Sequence, residues 1–466
     1  MHINNLFDWP SKKVNFCIFL FAFTFAIACM LTAREIIIPR MNWNGVDGHL
    51  AGDPQLYHKV ANQKAEEMRR DGLSAFELRP DSSGPAGIAS LVYLFFDSVY
   101  GVVVVNAMLH ALSVLLCYLI LSNWFSPKFS LLGAIPLFLS PYQMIWFSQI
   151  NKDSYAVTSA LLVIYGALEL IKKATQNLDK SNYVLGVVTI CSGSVLAGLV
   201  RPYLNQINFV VLLLVFLTPL FLRKIKNWKI YLPVIFLVLF VIKVQSTGAT
   251  SDKTIDSFKN FVWSPEITQS LTQSETQSSE KSLSVVDKCY ISVSVGTWQN
   301  DFFVGYVNDK IRGLIGQRCN MFTYLYSQKD VPNTIDSIVD YDILPSSTTQ
   351  AFAYFPRAAS YGIFAPWPSD WLFIFKKRFS FIYMIAPVEA FCLYLGLLFL
   401  LYWIYTEKQF LAIVPIFISF SVMGIYGLST PFLGSLYRFR YAWWMLLIGL
   451  GIGALLTVLQ KKKKSI

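Results

Sequence analysis

What most constrains this chain is the repetition of apolar runs near twenty residues long, separated by short polar steps. A hydrocarbon core about 30 Å thick takes about 20 helical residues to cross, and in lipid each backbone N–H and C=O must be satisfied within its own element. Runs of this length therefore predict membrane-spanning helices. Ten are read, near 15–33, 102–122, 129–147, 154–171, 182–200, 204–222, 230–245, 380–403, 409–427 and 441–459. With 55% hydrophobic and 14% charged residues over 466 positions, the composition agrees with an all-α polytopic membrane protein. The apolar stretch 84-GPAGIASLVYLFFD-97 is too short to span and opens with Gly84, Pro85 and Gly87, which predicts an interfacial or re-entrant helix.

Lys and Arg near membrane ends stay on the cytoplasmic side. Ten spans with both termini inside put Lys12, Lys13, Lys128, Lys172, Lys173, Lys180, 223-RKIKNWK-229, Lys408 and 461-KKKK-464 on that one side. The net charge of +11 is then topogenic and calls for no nucleic-acid partner. Lys12 and Lys13 before an apolar run, with Ala28 and Ala33 after it, also have the outline of a signal peptide. The run is long for one and has no clean A-x-A site, so an uncleaved anchor is expected.

This topology divides the chain into a cytoplasmic tail and first span (1–33), a first outer loop with juxtamembrane helices (34–101), spans two to seven (102–245), a large outer domain of mixed structure (246–379), and the last three spans with a basic tail (380–466). The polar tract 264-SPEITQSLTQSETQSSEKSLS-284 is expected to be a flexible loop. Of seven cysteines, five lie in expected spans, and Cys289 and Cys319 share the large outer domain, where an oxidising compartment makes them a candidate disulfide. No internal repeat is visible.

The expected cytoplasmic loops are short and basic, without a Gly-rich phosphate loop, and the four histidines form no metal-binding spacing. The expected outer face differs. Arg79, Arg201, Arg438 and Arg440 lie there against the topogenic bias. A planar guanidinium donates two hydrogen bonds to phosphate oxygens, so 200-VRPYLN-205 and 437-YRFRYAW-443 are candidate contacts to a lipid phosphate. For Arg79, snorkelling at a membrane end is the simpler reading. Two acids accompany the arginines: Asp53 in 51-AGDPQLYHK-59, which Pro54 also makes a good helix N-cap, and Asp153 in 146-WFSQINKDSYAV-157, which also has a capping reading. Carboxylates and arginines from separate loops on one face are what transfer from a lipid phosphate to a hydroxyl requires, the acid as base or as ligand of a divalent ion and the arginines on the leaving phosphate.

In order along the chain these are a first span, an outer loop with Gly52, Asp53 and Tyr57, a short helix rich in Gly and Ser, a second acid in 151-NKD-153, and the segments 198-GLVRPYL-204, 354-YFPRAASYGIFAPWPSDW-371 and 434-GSLYRFRYAW-443. That arrangement resembles the GT-C superfamily, integral membrane glycosyltransferases that use polyprenyl-phosphate sugars, such as the protein mannosyltransferases and the lipid A aminoarabinose transferase. The resemblance implies a catalytic base at Asp53, a supporting or metal-associated carboxylate at Asp153, and carrier-phosphate contacts from Arg201, Arg438 and Arg440. It further implies a polyprenyl-phosphate-linked sugar donor, a glycan or lipid-linked acceptor on the periplasmic face of the inner membrane, and room for Mg²⁺ or Mn²⁺. Tyr57, His58, Lys152 and Arg357 are further candidate substrate contacts. The chain departs from the mannosyltransferases in its N-K-D step, where they commonly carry arginine or alanine before the acid, and it lacks their long soluble C-terminal extension. A polysaccharide polymerase or ligase shares the lipid-phosphate arginines. A lipid-linked sugar flippase, the reading from another class, predicts several ionisable residues near mid-membrane, and here the mid-span charges are sparse.

Overall fold

The computed structural model describes residues 12–41, 49–50, 52–96, 98–176, 180–201, 203–208, 211–213, 292–293, 298, 305–327, 338–340, 343–371, 381–409 and 412–464. The expected span at 230–245, most of that at 204–222, the polar tract and Cys289 lie outside the described residues. The described elements are helices: α1 (Lys12–Thr32), α2 (Asp53–Asp71), α3 (Gly84–Phe96), α4 (Val99–Leu121), α5 (Pro127–Leu139), α6 (Pro141–Phe147), α7 (Asp153–Gln176), α8 (Lys180–Val200), α9 (Gly305–Ser327), α10 (Thr348–Phe364), α11 (Phe381–Glu407), α12 (Ile413–Ser429) and α13 (Leu433–Lys464). The mixed domain expected over 246–379 contributes α9, α10 and an isolated antiparallel bridge from Ile338 to Phe432.

Among the described residues six helices are long and apolar enough to cross a membrane, or seven if the bent pair α5 and α6 forms one span. The chain is thus a helical multi-pass membrane protein, and the described residues account for six or seven of the ten spans expected. Two differences have local causes. The run 129–147 breaks by 53° where Ser140 takes extended backbone (ψ 109°) ahead of Pro141, because a proline clashes with a helical residue before it and cannot donate to the preceding turn. The run 409–427 yields the shorter apolar helix α12, of 17 residues.

The chain divides into two units, residues 1–245 with 377–418 and 442–466, and residues 246–376 with 419–441. The second therefore takes in sequence that hydropathy alone assigns to the last two spans.

In the first unit α7 is the enclosed helix, with 94% of its apolar window buried. It packs on α4 and α8. Small residues allow that crossing: a Cβ at Gly193 on α8 would sit 2.9 Å from the Ser159 carbonyl oxygen, and one at Gly166 on α7 2.6 Å from that of Gly186. Close backbone approach of this kind holds helices together in lipid, where apolar burial alone gives no net drive. Beside this bundle, α2 buries Tyr57, Val60, Ala61, Ala65 and Met68, a spacing of three and four residues that lines one helical face. That face packs on Ala86, Ala89 and Tyr93 of α3 and on Val99 and Val102 of α4. At the start of α3, a Cβ at Gly84 would lie 2.1 Å from the Leu199 carbonyl oxygen. Glycine there brings α3 against the end of α8, two residues before Arg201.

In the second unit Trp298, Ile315, Ala351, Tyr354, Ala358 and Leu428 form the core. Cys319 is buried and disulfide-bonded.

Candidate functional site

The loop from α6 to α7 builds the site in the first unit. Asn151 caps α7, its Oδ1 accepting from the backbone N–H of Asp153 at 2.8 Å and of Ser154 at 3.1 Å. Its amide nitrogen donates to the carbonyls of Trp146 and Gln149. Asn106 on α4 donates to the carbonyls of Phe147 at 2.8 Å and Gln149 at 2.7 Å, and accepts from the Ser154 hydroxyl at 2.9 Å. Gln149 in turn accepts from the Leu50 N–H at 2.7 Å. Each of these polar groups is buried, and their mutual bonding holds the turn in one conformation.

Because Asn151 does the capping, the Asp153 carboxylate is directed elsewhere. Its Oδ1 accepts from Arg201 Nη2 at 3.1 Å, with the two side chains only 4% and 10% exposed. The simple capping reading of Asp153 is thereby replaced by a buried ion pair joining α7 to the residue that follows α8. Removing one partner of such a pair leaves a buried charge uncompensated, at about 3–5 kcal/mol.

Asp53 is not a cap either. Gly52 holds that position at φ +94°, a left-handed conformation that glycine adopts without strain, and Asp53 follows as the first residue of α2 with Pro54 behind it. The carboxylate is exposed and lies at the helix end that favours negative charge. Tyr57, one turn on, shares its face and is buried.

Lys152 stands on Tyr57 of α2 and feels both acids. Its ammonium lies over the Tyr57 ring, 5.1 Å from the centroid. Half-burial pushes this amine down to about 8, with Arg201 and Arg79 adding to the drop while Asp53 and Asp153 oppose it. Among the described residues, Asp53, Arg79, Asp153 and Arg201 thus all act electrostatically on Lys152. An exposed carboxylate beside a partly desolvated cationic patch can accept a proton from a hydroxyl while the cations hold an anionic oxygen. Arg79 belongs to this group, although snorkelling looked the simpler reading of it. Burial depresses its guanidinium.

His58 lies on α2 against different partners. Its Nδ1 is 2.7 Å from the Tyr93 hydroxyl and its Nε2 3.1 Å from the Asn62 amide. His49 stacks on it with ring centroids 4.3 Å apart, is fully buried, and has no hydrogen-bond partner among the described residues at either ring nitrogen. Burial first, then His58 and Arg34, push His49 down to about 3.

The remaining candidates lie in the second unit. Arg440 is buried and donates to the carbonyls of Tyr361 at 3.0 Å, Gly362 at 2.9 Å and Ala365. It closes the C-terminal end of α10, whose last carbonyls have no helical partner. Arg438, two residues away on α13, is turned about 200° around the helix from it. Arg357 donates through Nε and Nη2 to the two oxygens of Asp340 at 2.9 and 2.6 Å, and the Tyr354 hydroxyl donates to Asp340 Oδ2 at 3.0 Å. Arg318, buried against Phe322 and Tyr354, donates to the carbonyls of Val339 and Asp340 at 2.7 and 2.9 Å.

No family model matches this chain, and no curated protein matches it.

Proposed function

We propose that the chain is a membrane glycosyltransferase that moves a sugar from a polyprenyl-phosphate donor to a glycan or lipid-linked acceptor at the outer face of the inner membrane. The observation that carries this reading is the electrostatic group around Lys152, in which the exposed Asp53 shares one patch with Arg79, Arg201 and the buried Asp153. In the reaction the acceptor hydroxyl loses its proton to Asp53 as its oxygen forms a bond to the anomeric carbon. The bond from that carbon to the lipid phosphate oxygen breaks, and the phosphate leaves with the electron pair. Arg201, Arg79 and Lys152 supply positive charge where that negative charge grows, which lowers the barrier because it is fixed in place before the reaction. The Asp153 to Arg201 ion pair orients the guanidinium. Direct displacement inverts the donor configuration.

The test is transfer of labelled sugar from the lipid-linked donor in membranes carrying the wild type or Asp53→Asn. Loss of a general base is expected to slow transfer by about 10²–10⁴-fold at equal protein level. Undiminished transfer by the variant removes the proposed base. Product size separates single-sugar transfer from polymerisation, since a polymerase or ligase yields a ladder of chains.

A further inference from the structure

The GT-C resemblance leaves room for Mg²⁺ or Mn²⁺ held by Asp53 and Asp153, and the surroundings of those two acids do not fit such an ion. Mg²⁺ takes a near-octahedral shell of oxygens, carboxylates and waters among them. Asp153 already has its Oδ1 in an ion pair with Arg201 at 3.1 Å and stands at the first position of α7, where the helix end adds partial positive charge. Lys152, the adjacent residue, brings its ammonium over Tyr57, one turn along α2 from Asp53. A divalent cation entering here meets the positive charges of Arg201, paired to Asp153, and of Lys152 and Arg79.

We propose that the Lys152 ammonium is the resident cation of this site, taking the place of a divalent ion and binding the phosphate of the donor, so that the site works without divalent metal. The assignment of a phosphate rests on the glycosyl-transfer reading; the exclusion of the ion rests on the Asp153 to Arg201 pair and the cations around it. A lysine suits the task because its ammonium is a compact point charge with three donors on a flexible stem. Tyr57 holds one side of it by cation–π attraction.

Two measurements on the full-length protein in lipid nanodiscs decide this. Electron paramagnetic resonance of added Mn²⁺ is expected to show no ion retained by the wild type through the two acids. One Mn²⁺ per chain, lost in both Asp53→Asn and Asp153→Asn, overturns the proposal. Binding of farnesyl monophosphate is expected to be equal in EDTA and in Mg²⁺, weakened about tenfold by Lys152→Met in both media, and kept within about threefold by Lys152→Arg, tenfold being 1.4 kcal/mol. Wild-type binding that drops tenfold in EDTA, or unchanged binding in Lys152→Met with an unchanged unfolding temperature, overturns it. If the wild type does not bind the prenyl phosphate at all, the lipid-phosphate donor is lost, and the Mn²⁺ measurement still decides whether Lys152 is the resident cation.

Discussion

Two carboxylate–guanidinium pairs, one in each unit, are built from the same chemistry and placed differently. In the first unit Asp153 is buried and Arg201 only 10% exposed, the adjacent helix end is capped independently by Asn151, and Lys152 lies over Tyr57, one turn from the exposed Asp53. In the second, Asp340 is buried while the Arg357 side chain is 57% exposed. Around that pair Arg318 donates to the backbone of Val339 and Asp340, tying this segment to α9. Arg440 likewise puts its donors on backbone carbonyls. The difference teaches that an arginine's work follows from what already satisfies the groups around it. Where an asparagine serves the backbone, the ion pair can serve a substrate; where arginines serve the backbone, they hold the scaffold.

The largest expected effect breaks the first pair. Asp153→Ala, which leaves Arg201 buried without its carboxylate, should destabilise the protein by about 3–5 kcal/mol, read as a fall in the unfolding temperature in detergent and compared with Arg201→Ala and the double variant to isolate the coupling. Arg440→Ala should come next, at about 2–3 kcal/mol, because carbonyls at the end of α10 lose charged donors; proteolysis around 361–365 should rise with it. A loss of phosphate binding with unchanged stability in that variant would reverse the contrast between the units. The third effect is a pH dependence. His49 is held near 3 in the folded chain against 6.5 for an ordinary histidine, so folding favours its neutral form. That contribution is fully present above about pH 6.5 and fades as pH falls toward 3, amounting to about 2 kcal/mol lost between pH 6.5 and 5. His49→Phe should flatten this slope in unfolding experiments across that range. The smallest effect belongs to Arg357→Ala. Its exposed guanidinium makes the pair worth about 1 kcal/mol or less, and the Tyr354 hydroxyl continues to donate to Asp340 in the variant, as a small shift in unfolding temperature should show.

Much of the first unit was legible in the sequence. The runs that became α1, α4, α7 and α8 announce themselves through length and hydropathy, and the Gly52–Asp53–Pro54 step marks the start of α2. Asp153, Arg201, Lys152 and Tyr57 were named from their chemistry, and the structure brings them together. Arg79 was named with the outer-face arginines and read as snorkelling, because one arginine in a loop carries no further signal of its own. Its membership depends on the packing of α2, α3 and α8. Asn151 stood within the motif, yet which of Asn151 and Asp153 caps α7 turns on two residues of register. In the second unit the sequence reading met its limit at Arg440. Basic residues near an expected membrane end look alike in sequence whether they face a phosphate or the end of a neighbouring helix.

Hydropathy by itself determined that this chain is helical and crosses a membrane several times, because a lipid core accepts apolar helices of a certain length and little else. It also located the glycines and prolines that bend or start helices, since their backbone limits are local. Tertiary structure alone decided which polar groups meet. Burial makes a single ion pair or an unmet carbonyl matter, and burial is set by neighbours distant in sequence: Asp153 and Arg201 are 48 positions apart, and Arg440 and Tyr361 are 79 apart.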